Sequence, residues 1–206
     1  MATLNTTNIK HASSSSNNIV LASNGSVTIP NLTATAFSTS TSLGITHARI
    51  YRITSTFSLT SGSTTLTNNW EYADDASAGV LGSGWSLPSS GIFSFPATGI
   101  YTVKASALIS AVAGTNMPYA GLDLAATINN SSYDPLTTSY SSQEYDDLNN
   151  TRYHNVHVTS IIDCTDTSNV KFKVMAYRDV NFGNVSFLGD SGANYTYVEV
   201  TRLGDT

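Results

Sequence analysis

The sequence has little charge. Asp, Glu, Lys and Arg make up 11% of its 206 residues, less than half the share of about 25% found in ordinary soluble domains. Ser, Thr, Asn and Gly stand in their place, a composition that suits strands and tight turns better than helices. Only nine Lys and Arg are present, scattered along a chain of net charge −5. That excludes nucleic acid as a partner, because phosphate binding needs a basic patch. A single cysteine, Cys164, excludes an internal disulfide, so the fold must hold by packing or by assembly. Near the end of an apolar strand, Cys164 reads as a small buried hydrophobe and not as a nucleophile. No apolar run approaches the length of a membrane span, so no membrane insertion is expected. The opening MATLNTTNIKHASSSS has neither a basic n-region nor an apolar h-region and reads as free of a secretory signal. Sequons at Asn130 and Asn184 carry no weight in so Asn- and Ser-rich a chain.

Motifs of catalysis are scarce too. HExxH, G-x-S-x-G and phosphate loops do not occur. His154 and His157 lie three apart on an expected strand, so they point to opposite faces and cannot chelate one metal together. Glu144, Asp146 and Asp147, with Asp134, offer hard oxygen ligands of the kind calcium takes. They lack the Gly-punctuated spacing of a calcium loop and read as a solvated surface. As a carboxylate pair for glycoside hydrolysis they are equally unconvincing. The expectation is a chain that is not an enzyme, with no catalytic residue, no metal site and no cofactor.

What the sequence does have is alternation. Gly91–Phe95 is a short apolar run, Pro96-Ala97-Thr98-Gly99 a turn, and Ile100–Ala113 a long strand. Tyr101, Val103, Ala105, Ala107 and Ile109 share one face and suit a core. Ile100, Thr102, Lys104, Ser106 and Leu108 share the other, a mixed face that suits another chain. Ala48–Leu59 reads as one strand with Tyr51, Ile53, Ser55, Phe57 and Leu59 together. Tyr119–Ile128, Tyr153–Cys164, Val170–Tyr177, Asn184–Leu188 and Tyr195–Leu203 complete the set, and no stretch has helix periodicity. The reading is all-β.

The block Gly91-Ile-Phe-Ser-Phe-Pro-Ala-Thr-Gly-Ile-Tyr-Thr-Val resembles the "G-x-F-x-x-P-x-x-G-x-Y-x-F" signature of the complement globular-head (C1q-like) and tumour-necrosis-factor (TNF-like) jelly rolls. Gly91, Phe93, Pro96, Gly99 and Tyr101 match, and Val103 stands where the family usually places Phe. Val156–Ile162 with Val170–Ala176, and the last strand Tyr195–Leu203, resemble later strands of the family. The similarity covers roughly Ile45 to Asp205. It implies a ten-strand jelly-roll sandwich, assembly as a homotrimer, and no enzyme activity.

Ahead of that block, residues 1–17 read as a polar arm that orders against a partner. Asn24-Gly25 between Ile19–Ala22 and Val27–Ile29 is a hairpin signal, since a type I′ turn needs φ > 0 at both positions. Leu4-Asn5-x-x-Asn8-Ile9-Lys10 followed by Ile19–Ile29 resembles an N-terminal module of virion structural proteins from tailed bacteriophages, particularly marine ones. Residues 1–44 are therefore expected to be an anchor to other virion proteins of capsid or tail. Residues 45–206 are expected to be a trimeric head on the exterior of the particle. The rival is a secreted, complement-head-like ligand-binding module outside any virus. The missing signal and the hairpin-bearing arm weigh against it.

The candidate binding surface is the polar stretch Asn129–Asn150, expected to be a long exposed loop. It holds Tyr133, Tyr140 and Tyr145 with Asp146 and Asp147, flat aromatic faces beside hydrogen-bonding groups. Such a surface suits a host glycan or protein. Trp70 and Trp85 offer similar faces but read as core or trimer-axis residues.

Overall fold

The computed structural model describes residues 8–9, 19–21, 27–28, 44–60, 62–67, 69–111, 117–143, 151–179 and 183–206. The chain divides into two compact units, Met1–Ser40 and Thr41–Thr206.

The first unit holds a small antiparallel sheet of β1 (Asn8–Ile9), β2 (Ile19–Leu21) and β3 (Val27–Thr28), with β2 in the middle. Val20 pairs with Thr28 and Leu21 with Val27, the register expected of a hairpin. The Asn24-Gly25 turn lies outside the described residues. Asn8 pairs with Val20 and Ile9 with Ile19, so a segment read as part of an arm supplies a strand.

The second unit is all-β, with twelve strands in two antiparallel sheets. Its central strand is β9 (Gly99–Ala111), and the alternation has the face it implies. Tyr101, Val103, Ala105, Ala107 and Ile109 are all buried. Along one edge β9 pairs over its whole length with β12 (Arg152–Cys164), from Cys164↔Gly99 to Arg152↔Ala111. Its other edge is shared: β15 (Thr196–Gly204) takes the first part and β14 (Val185–Asp190) the last. Outside these lie β4 (Ala48–Ile53), β7 (Trp70–Tyr72) and β5 (Ser55–Leu59). The opposing sheet runs β11 (Asp134–Gln143), β10 (Met117–Thr127), β13 (Lys171–Arg178) and β6 (Ser63–Thr65), with β8 (Ile92–Ser94) also on β13.

Two expectations need correcting. Ala48–Leu59 is not one strand, because the chain breaks at Thr54, whose amide bonds Asn69 O at 3.0 Å. β4 then pairs with β15 and β7, while β5 pairs with β14. The stretch 129–150 is not one long loop either. Ten of its residues form β11, paired to β10 from Ala126↔Asp134 to Met117↔Gln143 through two register shifts. Thr and Ser fill much of it in place of apolar residues, because β11 is an edge strand whose side chains are mostly exposed. These two changes help bring the strand number to twelve rather than ten.

Aromatic rings fill the space between the sheets. Phe93 and Phe172 stack at 4.7 Å and 9°, with Tyr51 and Trp70 edge-on to Phe93 at 5.3 and 5.0 Å. Trp70 is core, as read, and its Nε1 donates to Leu66 O at 2.9 Å. Trp85 packs on the core rim against Tyr51 and His47. Cys164 is buried, and desolvation pushes its thiol up to about 11. Arg52 is fully buried on β4. Its guanidinium donates to Glu71 at 2.7 Å, Asp74 at 2.7 Å and Asp75 at 2.5 Å.

Candidate functional site

Alternation on β10 and β13 decides which side chains leave the sandwich. Leu122 and Leu124 point inward with Val174 and Ala176, so Tyr119, Gly121 and Asp123 face outward beside Met175 and Tyr177. On the other side of β10, Tyr140 of β11 stands directly opposite Gly121. Tyr177 stands opposite Gly121 across β13. Two tyrosines thus flank one glycine in a single cross-strand row.

The glycine is required there by close approach. A Cβ on Gly121 would sit 2.7 Å from Tyr140 Cδ1 and 1.9 Å from Ser139 O. Without it, the rings close over the bare backbone. Tyr140 and Tyr177 have centroids 5.1 Å apart, and Tyr119 lies 5.4 Å from each. Tyr119 and Tyr177 are nearly parallel at 12°, and Tyr140 leans across both. Such offsets fall in the attractive range for aromatic pairs. Tyr119 keeps 37% of its surface exposed and Tyr140 43%.

Hydrogen bonds fix the rim. Tyr140 Oη donates to Asp123 Oδ1 at 3.0 Å, and the hydroxyls of Tyr119 and Tyr177 share a bond of 3.3 Å. Partial burial, and then that bond to Asp123, push the Tyr140 phenol up to about 12. Tyr177 is also raised, first through its bond with Tyr119. All three rings therefore carry polar tips that are held in place while ring surface remains open.

Of the residues expected to bind, Tyr140 belongs to this platform. Tyr133 does not: it precedes β11 and takes Lys173 Nζ at 4.7 Å from its ring centroid. Tyr145, Asp146 and Asp147 lie outside the described residues, as does Glu144. Asp134 opens β11 and lines a surface pocket with Asp163. Sequence reading missed Tyr119, Tyr177 and Asp123. Each sits at an outward position of a correctly expected strand, so their signal was the alternation, but only pairing register brings them together. His154 and His157 take opposite faces of β12, as expected, with His154 Nδ1 3.1 Å from Ser141 Oγ and His157 exposed. Among the described residues, no three of His, Cys, Asp and Glu are grouped to hold a metal.

No family model and no curated protein matches the chain. Solved structures do. The chain is similar to murine APRIL at pH 8.0, with a TM-score of 0.51 and 15% identity, over 76% of this chain and 98% of that one. It is similar to the Eiger TNF of S. frugiperda, with a TM-score of 0.56 and 12% identity, over 79% and 95%. The second unit therefore has a TNF-like jelly-roll fold.

Proposed function

We propose that the chain is a structural protein of a tailed-phage particle, a fibre or capsid-decorating protein whose jelly-roll heads project outward as homotrimers. Residues 1–44 attach it to capsid or tail proteins, and the head meets the host surface. The observation that carries this reading is the order of parts. A separate small β unit, phage-like in Leu4–Lys10 and Ile19–Ile29, precedes a TNF-like jelly roll. Short strands of that kind are not stable in water by themselves, so they suit docking on a larger assembly.

The head binds and does not catalyse. Its one thiol is buried and protonated at neutral pH. The exposed aromatic surface of β10, β11 and β13 is what it presents outward. The test is to image purified particles with this chain labelled. Regularly spaced label on capsid or tail is expected, and particles lacking the chain would overturn the assignment.

A further inference from the structure

An aromatic cluster on the outside of a sandwich stands in the place of polar side chains that would be easier to hydrate. Exposed contiguous aromatic surface marks recognition more often than packing. Shielding the Gly121 backbone accounts for Tyr140, whose Cδ1 stands 2.7 Å from where a Cβ would lie. It does not account for Tyr119, which extends the surface past the glycine, nor for a carboxylate tied to the rim.

We propose that Tyr119, Tyr140 and Tyr177 form a carbohydrate-binding platform, in which an open ring face of the cluster stacks on the C–H face of a hexopyranose and Asp123 accepts a hydrogen bond from a sugar hydroxyl.

The chemistry favours a sugar. A pyranose is flat, with apolar C–H bonds on its faces and hydroxyl donors around its edge. The platform offers both partners, exposed ring surface and, beside it, the tyrosine hydroxyls and the Asp123 carboxylate. Three centroids 5.1 to 5.4 Å apart span about the width of a single pyranose ring. Asp123 gives Oδ1 to Tyr140 and has a second carboxylate oxygen with which to accept. The tyrosines are already stacked and bonded to one another, so a ligand orders few side chains on arrival, and rigid tyrosines cost little entropy. A quaternary ammonium ligand needs rings that enclose it on several sides. Here Tyr119 and Tyr177 lie nearly parallel at 12° and stack on each other.

The site rests on the proposed role only for the source of its ligand, a glycan of the host surface. Binding by the isolated chain tests the site, and particle imaging tests the role, so either can fail without the other. The probes are the methyl glycosides of glucose, galactose, mannose, rhamnose and N-acetylglucosamine, with lactose and maltose. They are mixed with the full-length chain and followed by saturation-transfer NMR and titration. At least one is expected to bind in the millimolar range and to receive saturation at its ring protons. Asp123→Asn and Tyr119→Ser should each weaken that sugar by about tenfold or more. Tyr133→Ser, outside the platform, should leave it unchanged. Both platform changes are at the surface, and a thermal melt of each checks that the fold survives. If Tyr119→Ser melts early, Asp123→Asn decides alone. Failure of every probe overturns the proposal. So does undiminished binding in both variants, or displacement of the bound sugar by tetramethylammonium at equal concentration.

Discussion

Phe93 stands where the two sheets are held together. It is 2% exposed and meets Phe172 face to face, with Tyr51 and Trp70 edge-on. Phe93→Ala removes a ring that its neighbours cannot replace, so a destabilisation of about 3–5 kcal/mol is expected in urea unfolding. An unchanged midpoint would mean that the core does not depend on this stack. Arg52 makes a different case. It is one cation among three carboxylates, of which Asp74 is 73% exposed at its side chain and Glu71 only 30%. Arg52→Ala removes the cation and its three charge-assisted hydrogen bonds and leaves partly exposed carboxylates to repel one another, so a loss of about 1–3 kcal/mol is expected in urea unfolding. Lysine should not rescue it, because three separate partners need the guanidinium fork. Tyr140 responds to pH. Its phenol is raised from the usual 10.0 to about 12, so its neutral form is favoured by folding. That stability is fully present below pH 10 and is lost as pH rises toward 12. Tyr140→Phe should flatten part of the fall in urea midpoint across that window. The full slope in the variant would assign the loss to other tyrosines.

At the scale of elements, legibility in the sequence followed burial. β9, β12, β13, β14 and β15 were visible because one face of each is apolar and period-two alternation follows from that. β11 was not, since Pro135, Leu136, Thr137, Thr138, Ser139 and Tyr140 offer no buried face to repeat. An edge strand is written in backbone pairing, which leaves little trace in composition. The break at Thr54 was hidden for the opposite reason. Alternation continues through it while the two halves pair with different neighbours. The platform falls between these cases: every member lies on a strand, yet nothing local says that residues 119, 140 and 177 meet. The hairpin of the first unit was legible from Asn24-Gly25, and it is the element whose removal is informative. Deleting residues 1–44 should leave a head with unchanged melting temperature, because among the described residues the buried core begins at Tyr51. A truncated chain that is folded but missing from particles would support the anchor. A chain that no longer folds would place the N-terminal segment inside the domain.

For the whole molecule, the question is what covers its exposed apolar surface. β11 and β12 are the outermost strands at the same side of their respective sheets, tied across by Thr137 Oγ1 donating to Thr159 O at 3.1 Å. Beside them Ile128 is 81% and Ile161 66% exposed, around a pocket of about 290 Å³ that Asp134 and Asp163 also line. At the two ends of β15 lie further exposed apolar side chains, Tyr195 and Leu203, with Tyr197, Glu199 and Thr201 between them. Two unlike patches on one chain suit a heterologous contact, in which the edge of one copy meets the sheet face of the next and the ring closes. A two-fold dimer would instead call for a single self-complementary patch. The expected assembly is a trimer, with a mass by light scattering of three times the 21.8 kDa chain. Ile161→Asp adds a third carboxylate beside Asp134 and Asp163 without touching the core, so it should shift the mass to that of a monomer while the strand signal in circular dichroism is kept. Tyr195→Ser, on the opposite patch, should weaken the trimer in the same direction. A wild-type chain that is monomeric at micromolar concentration would end the trimer reading. A trimer that tolerates both substitutions would move the contact to another face of the head.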